Sequence, residues 1–105
     1  MTFDTIIRGG TIATASDTFS CDIGIKDGRT TALGADLGSS KELVDATGKL
    51  MLPGGIDSHV HISQPSGPDI VMADDFASAT RSAAFGGNAR VLPLAMQQKG
   101  QSLRE

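Results

Sequence analysis

The first half of the chain alternates apolar and polar positions over short runs and shows no helical period before about residue 70, which predicts strands separated by turns. Phe3 to Arg8 and Thr11 to Ala15 flank Gly9-Gly10, a two-residue hairpin signal. Between Phe19 and Ile25, residues Phe19, Cys21, Ile23 and Ile25 fall on one face and Ser20, Asp22 and Gly24 on the other. That pattern predicts one strand with its Cys21 face buried and its Asp22 face wet. Asp27-Gly28 supplies a second hairpin turn into Arg29 to Leu33. A polar stretch from Gly34 to Lys41 precedes two further strands, Glu42 to Asp45 and Lys49 to Leu52.

The pattern changes at Pro53-Gly54-Gly55, a strong punctuation mark. Ile56 to Ile62 reads as a compact strand, Ser63 to Val71 as a loop, and Ala73 to Phe85 as a helix with an apolar stripe of Phe76, Ala79, Ala83 and Ala84. Asp74 and Asp75 are expected in its first turn, where carboxylates complement the helix dipole. Gly86-Gly87 stops the helix. Ala89 to Ala95 then reads as a parallel strand, and Ser102 with Glu105 matches a capping box for another helix. The expected fold class is mixed β and α/β. A small β-sandwich-like part, residues 1–52, is followed in residues 53–105 by the first right-handed βαβ unit of an incomplete TIM-type barrel. A closed barrel needs about 250 residues, and the chain has 105.

Composition narrows the partners. A net charge of −3, from 9 basic and 12 acidic residues, provides no basic stripe for nucleic acid. No apolar run reaches the roughly 20 residues that cross a bilayer, so no membrane association is expected. The single Cys21 cannot form an internal disulfide and reads as a small buried apolar residue; with no apolar leader at the start, the expected location is cytoplasmic.

Chemistry concentrates at His59 and His61. Residues two apart in a strand share a face with Cα atoms about 6 to 7 Å apart, so two imidazoles can converge on one divalent ion. Such an ion polarises carbonyls and acidifies water. Taken alone, the pair also fits two incidental histidines, because two ligands do not fill a tetrahedral site. Their position at a strand end, before a loop and a helix, is where barrel enzymes build their sites. Asp57 shares the face and either orients a ligand or caps local amides. Ser63, Gln64 and Ser66 follow in the loop, as substrate contacts or as plain loop residues. Lys26, Arg29 and Lys41 read as solvated surface charges, and Lys99 as a turn residue.

At this point the sequence resembles a known family. Pro53-Gly54-Gly55-Ile56-Asp57-Ser58-His59-Val60-His61 is similar to the first-strand signature of the amidohydrolase superfamily. Asp74-Asp75-Phe76, Ala83-Ala84-Phe85-Gly86-Gly87 and Gln98-Lys99-Gly100-Gln101-Ser102-Leu103 resemble the hydantoinase and dihydropyrimidinase branch in the same order. The opening Asp4-Thr5-Ile6-Ile7-Arg8-Gly9-Gly10 resembles the start of the small β domain these enzymes carry.

The resemblance implies a pair of divalent metals, usually zinc, held by the His-x-His pair, further histidines, an aspartate and a bridging carbamylated lysine. Of these only His59 and His61 map onto this sequence. It implies ring opening of a small cyclic amide by metal-bound hydroxide and a homo-oligomeric complete enzyme; with only two ligands for the metal, this 105-residue piece alone is expected to be inactive. No proton-handling catalytic residue is assignable within the chain.

Two departures from the family stand out. Asn88-Ala89-Arg90 replaces a usual Thr-Thr pair, which predicts Arg90 at a solvent end of its strand, and Pro93 predicts a bulge or an early strand end. Allantoinase and dihydroorotase share the strand signature. Dihydroorotases place an arginine just after the second histidine, where this chain has Ile62-Ser63-Gln64. A non-catalytic dihydropyrimidinase-related assembly protein is the other class, and the retained histidines argue against it.

Overall fold

The computed structural model describes residues 2–102 and 104. They divide into two compact units, Met1–Pro53 and Gly54–Glu105.

The first unit holds two sheets. Strands β1 (Phe3–Arg8), β4 (Asp22–Lys26), β5 (Arg29–Gly34) and β6 (Ser40–Asp45) form one, in the order β5-β4-β1-β6. Strands β2 (Thr11–Ala13), β3 (Thr18–Ser20) and β7 (Leu50–Met51) form the other, in the order β3-β2-β7. The Asp27-Gly28 hairpin forms as the sequence predicts: both residues have positive φ, 50° and 71°, and β4 and β5 pair antiparallel.

Gly9-Gly10 does not make a hairpin. It passes the chain from one sheet to the other, so β1 pairs with β4 and β6, and β2 with β3 and β7. Two crowded contacts accompany the crossing. A Cβ on Gly9 would lie 2.8 Å from the Thr47 hydroxyl, and one on Gly10 2.8 Å from the Met51 side chain.

The single strand expected from Phe19 to Ile25 is also two strands, broken at half-buried Cys21. The buried face is the reverse of the expected one: Asp22 and Gly24 lie inside. The Phe3 ring lies against Gly24, leaving no room for a Cβ. Asp22 is matched in its buried position by the Gly9 amide, which donates to it at 3.0 Å, and by Arg8 Nε at 3.3 Å. Phe3, Ile6, Ile12 and Ala46 form this unit's core. Lys41 and Lys26, expected to be plain solvated charges, both face Asp4, at 2.7 and 3.9 Å.

The second unit is one parallel strand pair with a helix between: β8 (Gly55–Val60), α1 (Phe76–Phe85) and β9 (Asn88–Pro93). Helix α1 begins at Phe76, the first residue of its apolar stripe, rather than at Ala73. Asp75 is its N-cap, accepting from the Ser78 amide at 2.8 Å while Ser78 Oγ accepts from the Asp75 amide at 3.1 Å. Asp74 and Asp75 thus precede the first turn rather than occupy it. Gly86 and Gly87 close the helix as expected, Gly87 with φ 82°.

Strand β9 carries Arg90 exposed in mid-strand rather than at an end, and it terminates at Pro93 after a register shift. A closed barrel is not formed by the described residues. The Ser102–Glu105 capping box falls partly outside them.

Candidate metal centre

The entry into β8 is set by close backbone approach. A Cβ on Gly54 would stand 2.3 Å from Ala89 Cβ, and one on Gly55 2.3 Å from Asn88 Oδ1. The Asn88 amide can swing aside but the Ala89 methyl cannot, so Gly54 is the residue that lets the entry to β8 run this close to β9, which gives the Pro53-Gly54-Gly55 punctuation a packing reason beside its turn chemistry.

Strand β8 stops at Val60, so His59 is its penultimate residue and His61 lies just beyond its end, not within a strand reaching Ile62. The two rings converge despite that break. Their centroids are 5.3 Å apart with planes tilted by 56°, and the two Nε2 atoms are 3.3 Å apart. Two nitrogens bound at about 2.0–2.1 Å to one tetrahedral ion stand about 3.3–3.4 Å from each other. The observed separation therefore fits a shared ion, and it equally admits a ring-to-ring hydrogen bond when one Nε2 carries a proton. Both rings are exposed.

Asp57 is half-buried, and its Oδ1 accepts from the His59 amide at 3.2 Å. It thereby fixes the backbone at the first histidine rather than touching either ring. Its side chain also lines a cleft of about 300 Å3 with His61, Asp74, Ala79, Ser82 and Val91, enclosed by β8, β9 and α1. Asp74, read from sequence as a helix-dipole residue, accepts from Ser78 Oγ at 2.9 Å at the rim of that cleft.

Gln64 is engaged on several sides within its loop. Its Oε1 meets His61 Nδ1, its Nε2 meets Met96 Sδ, its amide donates to Met72 Sδ at 3.2 Å, and its carbonyl accepts from Ser66 Oγ at 3.1 Å. Ser63 has a left-handed backbone, φ 51°, and lines a separate open pocket with Gln64 and Ile70. Among the described residues no group of three or more His, Cys, Asp or Glu side chains is placed to hold a metal.

No family model matches the chain. Similarity to individual proteins is high. A D-hydantoinase of Streptomyces coelicolor is 41% identical over 100% of this chain and 24% of its own length. An allantoinase of Bacillus licheniformis is 38% identical over 93% of the chain and 22% of its length. The crystal structure of dihydropyrimidinase from Brevibacillus agri NCHU1002 superposes with a TM-score of 0.87 at 42% identity, covering 95% of this chain and 22% of that one.

The chain thus spans under a quarter of the length of these relatives. Fold and likeness together define a class, the cyclic-amide hydrolases, matched here over their N-terminal part alone. Within that class the chain is similar, at about 40% identity, to the N-terminal part of hydantoinases, dihydropyrimidinases and allantoinases. Among the described residues no helix is long and apolar enough to cross a membrane.

Proposed function

We propose that this chain supplies the first two metal ligands, His59 and His61, of a hydrolase that opens small cyclic amides. The observation that carries the reading is the 3.3 Å separation of the two Nε2 atoms, the spacing one tetrahedral ion requires. Zinc is the divalent metal that imidazole pairs of this geometry suit. Such an ion supplies Lewis acidity, polarising an amide carbonyl and acidifying water.

The chain's own residues hold and orient. His59 and His61 bind through Nε2, and Asp57 anchors the backbone at His59. Met1–Pro53 serves as the small β domain and Gly54 onward as the first βαβ unit of a (β/α)8 barrel, its histidines at the C-terminal strand end where such barrels place their chemistry. Two ligands leave a tetrahedral site half filled, so the complete site needs further ligands and a proton-handling group beside His59 and His61. The homo-oligomeric state expected of the complete enzyme belongs to the same reading.

Hydantoins and dihydropyrimidines are the favoured substrates. Allantoin is the second reading, favoured by the 38% identity to an allantoinase, only slightly below that to the D-hydantoinase.

Zinc titration of the chain against His59→Ala and His61→Ala tests the pair. Weak binding by the parent, lost in both variants, is the expected result, and equal binding by all three would overturn the assignment. The 105-residue chain alone is expected to open neither hydantoin nor dihydrouracil, and measured turnover would refute the half-filled site.

A further inference from the structure

The contacts of Gln64 go beyond loop architecture. An imidazole presents Nε2 as a lone pair only when its proton sits on Nδ1, and which nitrogen carries it is set by the hydrogen bond the other makes. His61 Nδ1 faces one atom of the Gln64 amide. If that atom is the carbonyl oxygen, it accepts from Nδ1–H and Nε2 is left free. If the amide is turned over, its NH2 donates to Nδ1 and the proton moves to Nε2, into the gap shared with His59.

The surroundings of Gln64 choose between these. The far end of the amide meets the thioether of Met96, which accepts a hydrogen bond but cannot donate one. An NH2 facing sulfur is favourable, and a carbonyl oxygen there would set two acceptors against each other. Two contacts hold the Gln64 backbone, its amide on Met72 Sδ and its carbonyl on Ser66 Oγ. The side chain is half-buried between exposed Ser63 and Pro65.

We infer that Gln64, turned by Met96, is a positioning residue that locks His61 in the Nδ1–H form and so keeps its Nε2 lone pair aimed at the gap it shares with His59. The value of that lock for metal binding rests on the proposed function above; the lock itself does not.

The test is a nitrogen-15 NMR spectrum of the histidine rings in the metal-free chain at mildly alkaline pH, followed by zinc titration. Wild type is expected to show His61 as the Nδ1–H tautomer. Gln64→Leu should shift it toward Nε2–H and weaken zinc binding by about tenfold or more. Gln64→Glu, whose oxygens can only accept, should keep His61 in the Nδ1–H form although it gives up the contact with Met96. Met96→Leu, at an exposed position, should give a mixture by freeing the amide to turn. Retention of Nδ1–H in Gln64→Leu would overturn the inference whether or not zinc binds. Loss of Nδ1–H in Gln64→Leu, in a chain whose wild type binds no zinc, would support Gln64's hold on the tautomer while striking down the metal reading.

Discussion

Replacing Gly54 by alanine tests whether the glycines after Pro53 are there to let β8 lie against β9. The new Cβ would stand 2.3 Å from Ala89 Cβ, 3.3 Å from its backbone nitrogen and 3.4 Å from its Cα. Ordinary carbon contacts begin at about 3.5 Å, so β9 must retreat by roughly 1.2 Å at that point. No side chain can yield instead, because the methyl of Ala89 is fixed to its backbone. Overpacking of this kind costs about 1–3 kcal/mol. Gly54 does not have a positive φ, so alanine also restricts the unfolded chain and returns about 0.4–1 kcal/mol.

The crowding wins. The net loss is about 1–2 kcal/mol, which speeds amide exchange through opening of this unit roughly five- to thirtyfold. Hydrogen exchange at the Gly55 and Leu94 amides, which bond Gly87 and Val60 carbonyls at 2.9 and 3.2 Å, reports on this strand pair and not on the first unit. Ala89→Gly in the same chain removes the clash, so the double variant should recover most of the protection, with a coupling of about 1 kcal/mol or more. Unchanged protection in Gly54→Ala, or additive effects in the double variant, would refute the close-approach argument.

Two further outcomes follow from the first unit. Asp22→Ala takes the acceptor from the part-buried Gly9 amide and should cost about 0.5–1.5 kcal/mol in urea denaturation followed by circular dichroism, whereas Asp22→Asn keeps the acceptor and should cost less. The Asp4 carboxyl is held below its ordinary value of 3.8, first by the hydrogen bond from Lys41 and then by the Asp27 amide. Its contribution is therefore present above pH 3.8 and lost as the pH falls through the lower folded value. Stability measured from neutral pH downward should fall in that acid range, and Lys41→Gln should shrink the fall; an identical pH profile in the variant would count against the pair.

Much of the local structure was legible in the sequence because it depends on neighbours a few residues apart. Asp27-Gly28 turns because both residues accept positive φ, and Gly86-Gly87 ends the helix for the same kind of reason. Two-residue spacing set His59 and His61 on one side, and the quoted motifs carried the family likeness. Helix onset differs by three residues because Asp74 and Asp75 suit a first turn by charge, whereas the side chain of Asp75 caps the helix from outside it.

What the tertiary structure decided are the pairings and contacts between distant residues. Gly9-Gly10 carries a hairpin's local signature, yet the edges of β1 are taken by β4 and by β6, whose partner residues lie some 37 positions away, as with Phe3 and Ser40. The inward turn of Asp22 depends on the Gly9 amide waiting for it, and that of Gly24 on the space the Phe3 ring occupies. Gln64 looked like a loop residue because its partner Met96 is 32 residues further along the chain. Backbone preferences act within a turn or two, whereas a free strand edge, a ring over a glycine or a sulfur beside an amide exists only once the chain has come back upon itself.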